Sequence, residues 1–570
     1  MGVKISNLPS ATVPLTGSEL VPVVQGGTTV QAPVFNMFSG ATGAAYIGFT
    51  QSGTGATTRT TENKLRDTVS VKDFGAVGDG VTNDTAAIQA SFDACWAERK
   101  DVFIPGGTYL VTGLTLPGTY PTLDQRDHAI RIYGQGYGNP YSNINTGGTV
   151  LKSVTDAPII TDRVIGSANG QGTYEIDHIR FDGTSTTPVV LFNGFYGTSS
   201  FHNNVIYQRG VGDGLKIVYG GGGWIYNTFA QNSAFATFGL GAARTGIGFN
   251  FPQAYDAGLI SFTKCSSRGW LTAYSIADSG AGVAYSTNLN ECECSVVYNG
   301  VILGANARNC SVSNSYFEGG DGGIGVKNSG NYNVIAHNLM FSGFSKLIED
   351  ISTTNMGSNI NNNALSIGAV VNGIGVDIQS SAFFGGYGKN VIGNSFIYTA
   401  GTNGVNGIKI SGTDPRLNLI GNAFDPRPEW TGTSTTKIND SSSNGVFGLT
   451  MKANADIELT TLSRGAVSFA APATALTQTA VTANVLTIPD AGSNFVVSAT
   501  VAATVLKFIS GTTSGRFVIF RTTTANMTFS NGAYVKLAGG VSFTGPGTIT
   551  FLIDRLGADN YAWELSRTTF

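Results

Sequence analysis

The feature that most constrains this chain is a loose repeat in its second half. VSNSYFEGG at 312, IAHNLMFSG at 335, INNNALSIG at 360, VIGNSFIYTAG at 391 and LIGNAFDP at 419 align on Asn314, Asn338, Asn363, Asn394 and Asn422. These asparagines recur about every 24 to 31 residues, a period typical of solenoid coils. Each unit holds short β runs with Asn or Gly at its corners. One unit cannot bury its own apolar face, whereas a stack of units does. The pattern predicts a parallel β-helix. Earlier segments, DHIRFDG at 177, NNVIYQRG at 203, NTFAQNS at 227 and SFTKCSSRG at 261, fit the same unit more loosely.

Composition agrees. Charged residues make up only 12% of the 570 and apolar ones 41%, which excludes a disordered chain. The 77 glycines follow no three-residue period, which excludes collagen. Gly, Thr, Ser and Asn in excess over Lys and Glu favour short strands and tight turns, an all-β profile. A formal charge of -3 without a basic run argues against nucleic-acid binding. No apolar stretch is long enough to insert in a membrane, and MGVKISNLPS lacks the apolar core of a signal peptide. Cys95, Cys265, Cys292, Cys294 and Cys310 are too sparse for a disulfide framework, and Cys292-x-Cys294 lacks partners at zinc spacing, so buried thiols are expected and no metal or cofactor.

Four regions differ in texture. Residues 1–35 alternate β runs with Pro and Gly breaks and are too short for a core of their own, so they call for partners, most simply copies of the same chain. Residues 36–68 read as a Gly/Thr/Ala-rich neck or linker. Residues 69–449 contain the repeats. Residues 450–570 lose the period and read as antiparallel strands of a separate sandwich-like unit, with TANVLTIPD, GRFVIFRTT and TGPGTITFLID among them. Between Thr85 and Arg99, Ala87, Ile88, Phe92, Cys95 and Trp96 recur at helical spacing behind a capping Asn83 or Asp84. Strands are expected at Asp101–Ile104 and Thr108–Val111.

Asp73-Phe74-Gly75-Ala76-Val77-Gly78-Asp79-Gly80-Val81-Thr82-Asn83-Asp84-Thr85-Ala86-Ala87-Ile88, continued by Phe103-Ile104-Pro105-Gly106-Gly107-Thr108-Tyr109, resembles the start of the pectate-lyase-like superfamily of right-handed parallel β-helices. That resemblance implies a helix shielding the open N-terminal end of the solenoid from edge-to-edge pairing. Ile5-Ser6-Asn7-Leu8-Pro9 through Leu15-Thr16-Gly17-Ser18-Glu19-Leu20-Val21-Pro22-Val23-Val24-Gln25 looks like the virion-attachment segment of phage tail fibres and tailspikes. Together the two resemblances imply a homotrimeric virion protein, joined through residues 1–35 to a tail or baseplate protein. They also imply that it binds and depolymerises a bacterial capsule or O-antigen polysaccharide; a receptor-binding fibre without catalysis is the alternative.

Hydrolysis of a glycosidic bond calls for two carboxylates, about 5–5.5 Å apart for retention and about 6.5–9.5 Å for inversion. In Asn290-Glu291-Cys292-Glu293-Cys294, strand alternation puts the cysteines on one face and the glutamates on the other. Thiols bury readily and unpaired carboxylates do not, so Glu291 and Glu293 are expected outside. Glu318 follows Glu293 by one plausible coil, which predicts a stacked Glu293–Glu318 pair with Cys265, Cys292, Phe317 and Phe341 inside. An alternative register aligns Tyr316 inside with Met340, Leu365, Phe396 and Phe424, and forces Glu318 inward. Asp321 stands in a Gly-rich turn as a further acid. Trp270 with Arg268, Trp224 after a four-glycine run, and Tyr298 are the candidates for stacking on and gripping sugars. A lyase would need a base and a cation instead; the four histidines are scattered in sequence, and hydrolysis ranks first.

Overall fold

The computed structural model describes residues 18–440 except 39–42, 118–128, 139–146, 163–172, 234–240, 254–256, 320–321, 342, 353–356, 369–371, 381–387, 400–404, 413–416 and 425–435, together with strands and turns between 474 and 569. The chain divides into two compact units, Met1–Thr450 and Met451–Phe570. Residues 1–17, which hold most of the attachment-like motif, lie outside the described part, as does Asp321.

The first unit is a parallel β-helix whose coils contribute in turn to three long sheets. Sheet I runs over 13 strands from Val69–Ser70 to Leu417–Ile420. Sheet II runs over 13 from Asp79–Asn83 to Ala423–Phe424, and sheet III over 12 from Leu114–Leu116 to Thr436–Asp440. The strands are short, two to seven residues, so each coil presents only a few inward side chains per sheet. These stack by type. Ile132, Ile176, Phe201, Ile225, Phe262, Leu289, Val312, Ile335, Ile360 and Val391 form one continuous inward lane of sheet I. Tyr274, Val301, Val326, Ile348, Val376 and Ile408 form the corresponding lane of sheet III. The lanes merge into one hydrophobic core.

Sheets I and II meet at a one-residue corner. His178, Asn203, Asn227, Lys264, Glu291, Asn314, His337 and Asn362 occupy it in successive coils, all at φ between 46° and 59°. Asn and His tolerate this left-handed conformation better than most residues, which explains part of the repeat. The residue after the corner turns inward. Asn338, Asn363 and Asn394 are buried there as a ladder: each amide accepts from the preceding rung and donates to a carbonyl, as Asn363 Nδ2 does to Ile335 O at 2.9 Å. Asn314 is therefore not a rung. It sits at the corner, and Ser315 takes the ladder position.

The capping helix spans Thr85–Glu98, burying Ile88, Ser91, Phe92 and Cys95. Asp84 precedes it without capping it through its side chain; its carboxylate accepts instead from Val77 N at 2.7 Å and Gly78 N at 3.1 Å, while Asn83 Oδ1 accepts from Thr85 N. The motif thus ties the turn before the solenoid to the helix that covers it. Ahead of it, Leu20–Gln25 and Thr28–Pro33 form an antiparallel hairpin turned by Gly26 and Gly27.

The second unit is mixed rather than antiparallel. In its six-stranded sheet, Thr474–Thr477, Asn494–Ser498 and Arg516–Thr522 pair in parallel, while Arg516–Thr522, Gly547–Leu556 and Asp559–Thr569 pair antiparallel. Alternation in a short strand predicts which face is buried and is silent about the direction of the neighbour.

Candidate functional site

On sheet II, Cys294 aligns inward with Phe317, Met340, Leu365, Phe396 and Phe424. Neither register drawn from the sequence is the observed one. Glu293 opposes Tyr316, and Glu318 opposes Ser295. The stacked Glu293–Glu318 pair is therefore corrected to a diagonal one, and Phe341 is 40% exposed rather than internal. The coil joining the strands is two residues shorter than the stacked pairing requires. Phe317, which has no polar group to satisfy, takes the inward position while the Tyr316 phenol stays at the surface.

Two outward lanes result. One holds Ser266, Glu293, Tyr316 and Leu339; the other holds Arg268, Ser295, Glu318 and Phe341. Strands lie about 4.8 Å apart and alternate residues about 6.6 Å apart, so the diagonal separates the Glu293 and Glu318 backbones by about 8 Å. Arg268 donates to Glu293 Oε1 at 2.6 Å and Ser266 Oγ to Oε2 at 3.1 Å, and the guanidinium carbon lies 5.4 Å from the centre of the Phe229 ring. Glu318 is exposed, and its carboxylate has no hydrogen-bond or ion-pair partner among the described residues. The Tyr316 and Phe341 rings, 5.5 Å apart and 37% and 40% exposed, flank it. Partial burial, with Glu318 and Glu293 nearby, pushes the Tyr316 hydroxyl above its ordinary pKa.

The remaining predicted residues scatter. Glu291 stands at the corner and pairs with Lys264 at 3.6 Å. Trp270 is fully buried, its Nε1 donating to Ala230 O at 3.2 Å, so it belongs to the core and cannot stack on a sugar. Tyr298 is half-buried between sheets II and III. Trp224 faces outward on sheet I, 48% exposed between Ser200 and Ser261 of the adjoining coils.

Two further clusters escaped the sequence reading. On sheet I, Arg131, Glu175, Asp177 and His202 converge from three successive strands. Arg131 grips both oxygens of the enclosed Asp177 at 2.8 and 3.2 Å, and His178 Nδ1 bonds to the same carboxylate. Burial pushes the Asp177 carboxyl up, but Arg131 and His178 outweigh it and hold it below its ordinary value. His178 and His202 stand edge-on, 6.5 Å between ring centres, and Tyr226 stacks on His202 at 4.3 Å. Ligand atoms of Glu175, Asp177 and His202 lie within 4.8 Å of one another, the spacing of a metal site. Arg131 already compensates Asp177, and His202 Nε2 meets Glu175 Oε1 at 3.3 Å, so the donors are satisfied without an ion. Histidines scattered in sequence are thus brought together by coil stacking. On sheet III, Glu349 and Asp377 are in register on adjacent strands. A 28-residue spacing between acids in apolar runs, one coil apart, was the available signal.

A family model for pectate-lyase-like rhamnogalacturonase A/epimerase proteins matches residues 68–296. The matched stretch contains the sheet I cluster and Glu293. Among curated relatives, alginate lyase 7 of Azotobacter vinelandii is 36% identical over 147 residues, 24% of this chain and 16% of that protein. Mannuronan C5-epimerase AlgE2 of the same organism is 36% identical over 148 residues, covering 24% and 14%. The tail spike protein of an Escherichia phage is 31% identical over 118 residues, covering 20% and 13%. The chain thus spans about one sixth or less of these relatives' length. A solved tailspike mutant of E. coli bacteriophage HK620 in complex with pentasaccharide covers 94% of this chain and 98% of its own, at 11% identity and a TM-score of 0.46.

Proposed function

We propose that this chain is a tailspike-type polysaccharide depolymerase. It binds a bacterial capsule or O-antigen and hydrolyses it on the outer face of sheet II, with inversion. The observation that carries the reading is the diagonal of Glu293 and Glu318 beside the exposed Tyr316–Phe341 pair. The diagonal offset keeps the two side chains from stacking directly, as inversion requires when a water must sit between acid and base. Glu293, which accepts from Arg268 and Ser266, is the base that takes a proton from that water. Glu318, open to solvent beside two aromatic rings, is the acid that protonates the leaving oxygen. Tyr316 and Phe341 supply stacking faces for the sugars. Glu291 and Trp224 extend the candidate surface. The homotrimer, attachment through residues 1–35 and a place in the virion tail belong to the same proposal, supported by the attachment-like motif and the tail spike relative.

A lyase is the second reading. It is favoured by the His178–Asp177–Arg131 arrangement, an oriented base beside a cation, and by relatives named alginate lyase and mannuronan epimerase.

Purified protein incubated with polysaccharide from candidate hosts separates these readings when chain length, reducing ends and unsaturated-uronate absorbance are followed together. The expected result is shortening with new reducing ends and no absorbance, with the shortening lost in Glu318→Gln. Absorbance favours the lyase. Binding without shortening leaves a receptor-binding fibre.

A further inference from the structure

The two coils that carry the sheet II acids carry a second outward pair. Ala257–Gly258, Ala284–Tyr285 and Ala307–Arg308 form a short parallel sheet just ahead of sheet I, with Gly258, Tyr285 and Arg308 in register. Ala284 and Ala307 are fully buried, so alternation turns Tyr285 and Arg308 outward. Ser286 and Asn309, at φ 51° and 54°, then turn the chain into the sheet I strands Asn288–Asn290 and Ser311–Ser313. The first of these leads on to Glu293 and the second to Glu318.

Stability does not account for Arg308. Its guanidinium has no hydrogen-bond or ion-pair partner among the described residues, and its Nε is enclosed without an acceptor, at a cost of about 1–3 kcal/mol. Of its nitrogens only Nε is enclosed in this way. The side chain is thus held down at Nε while the planar terminal fork stays open, and that fork grips a carboxylate through two parallel bonds. Tyr285 is 38% exposed, with neither ring nor hydroxyl partnered among the described residues. Strand spacing sets it about 4.8 Å from Arg308, and Gly258 on its other side has no side chain to cover it. An open ring beside an open fork fits a sugar that carries a carboxylate. Between this pair and the acids, the outward side chains are short amides and hydroxyls, linked by Ser311 Oγ to Asn288 Oδ1 at 2.8 Å and Ser313 Oγ to Asn290 Oδ1 at 3.2 Å.

We propose that Tyr285 and Arg308 form an anchoring subsite for a carboxylate-bearing sugar; this rests on the reading of the chain as a polysaccharide-binding protein. The Arg308 fork takes the carboxylate, the Tyr285 ring takes the apolar face of the sugar, and units further along the glycan cross the polar face of sheet I towards Glu293 and Glu318. The polysaccharide is therefore an acidic one, with a uronate or comparable acid in its repeat. Neither residue touches the bond that is cleaved. Both hold bound substrate and transition state alike, so they act on KM and not on kcat.

The test uses the full chain and the surface polysaccharide of a strain that the protein binds, both native and with its carboxyl groups reduced to alcohols. Dissociation constants are measured in the cold, where cleavage is slow, together with melting temperatures. Arg308→Gln is expected to weaken binding of the native polymer about tenfold or more, with binding of the reduced polymer and the melting temperature unchanged. Carboxyl reduction is expected to weaken wild type by the same factor, so the two changes do not add. Tyr285→Ala is expected to weaken both polymers alike. In cleavage assays Arg308→Gln is expected to raise KM by that factor at unchanged kcat. Wild-type affinity in Arg308→Gln, or equal binding of native and reduced polymer by wild type, overturns the subsite and leaves the sheet II hydrolase standing. So does an equal loss of both polymers in Arg308→Gln. A wild type that binds without ever shortening the polymer overturns the hydrolase and leaves the subsite to the binding arms. A chain that binds no polysaccharide from any host overturns both.

Discussion

Glu293 and Glu318 leave the same face of sheet II from adjacent strands, offset by two residues, and of the two only Glu293 has a cationic partner among the described residues. One carboxylate is thus held and the other left open, the asymmetry on which the proposed base and acid roles rest. The Arg268 guanidinium creates the difference.

Replacing Arg268 by Met should therefore impair catalysis more than folding. The pair is partly exposed, and its loss is expected to cost about 1 kcal/mol or less of stability. The rate of reducing-end release should fall about tenfold or more, with glycan binding retained. Melting curves and initial rates on the same preparation check both halves.

A buried ion pair elsewhere should behave in the opposite way. Lys389 Nζ meets Asp350 Oδ1 at 2.8 Å, both side chains are enclosed, and Ser352 and Ser358 complete the carboxylate. Lys389→Met leaves an uncompensated buried charge and is expected to destabilise by about 3–5 kcal/mol. Adding Asp350→Asn should recover a large part of that loss. Calorimetric melting of the single and double variants gives the comparison.

Asp162 carries the most distinctive pH signature. Burial pushes its carboxyl up to about 6 from an ordinary 3.8, against the hydrogen bonds it accepts from Asn193 N and from Gly194 N at 2.7 Å. A folded-state pKa above the unfolded one means that the folded chain binds the proton more tightly. Asp162's contribution to stability is therefore full below about pH 4 and is lost as pH rises towards 6, with a slope of at most about 1.4 kcal/mol per pH unit. Asp162→Asn should remove this slope from a plot of melting temperature against pH.

Two asparagines that look alike in sequence should differ in consequence. Asn363→Leu removes the acceptor for Asn338 N and Nδ2, both at 3.0 Å, inside the core. Each orphaned buried group costs about 1–3 kcal/mol, so a loss of several kcal/mol is expected. Asn314→Ala loses one exposed bond to Asn290 and places Ala at φ 52°, costing about 1–2 kcal/mol. Thermal melts of the two variants measured side by side decide this.

Much of the architecture is legible in the chain itself, because a solenoid is built from local pattern. The 24-to-31-residue asparagine period, the short alternating runs and the Asp73–Ile88 motif each act over a few residues, and they foretell the β-helix and the Thr85–Glu98 helix. They also foretell that Cys292 and Cys294 point inward and that Glu291 and Glu293 point outward, since alternation and the cost of burying charge are properties of single strands.

Register is a different matter. Whether Glu318 lies beside Glu293 or diagonally from it depends on the length of the connection between coils and on which aromatic of Tyr316-Phe317 fills the interior next to Cys294 and Met340. A slip of two residues preserves every inside–outside assignment, so periodicity cannot detect it. The burial of Trp270, the meeting of His178 with His202 and the Glu349–Asp377 pair have the same origin. They are contacts between residues a coil or more apart, set only when the coils stack.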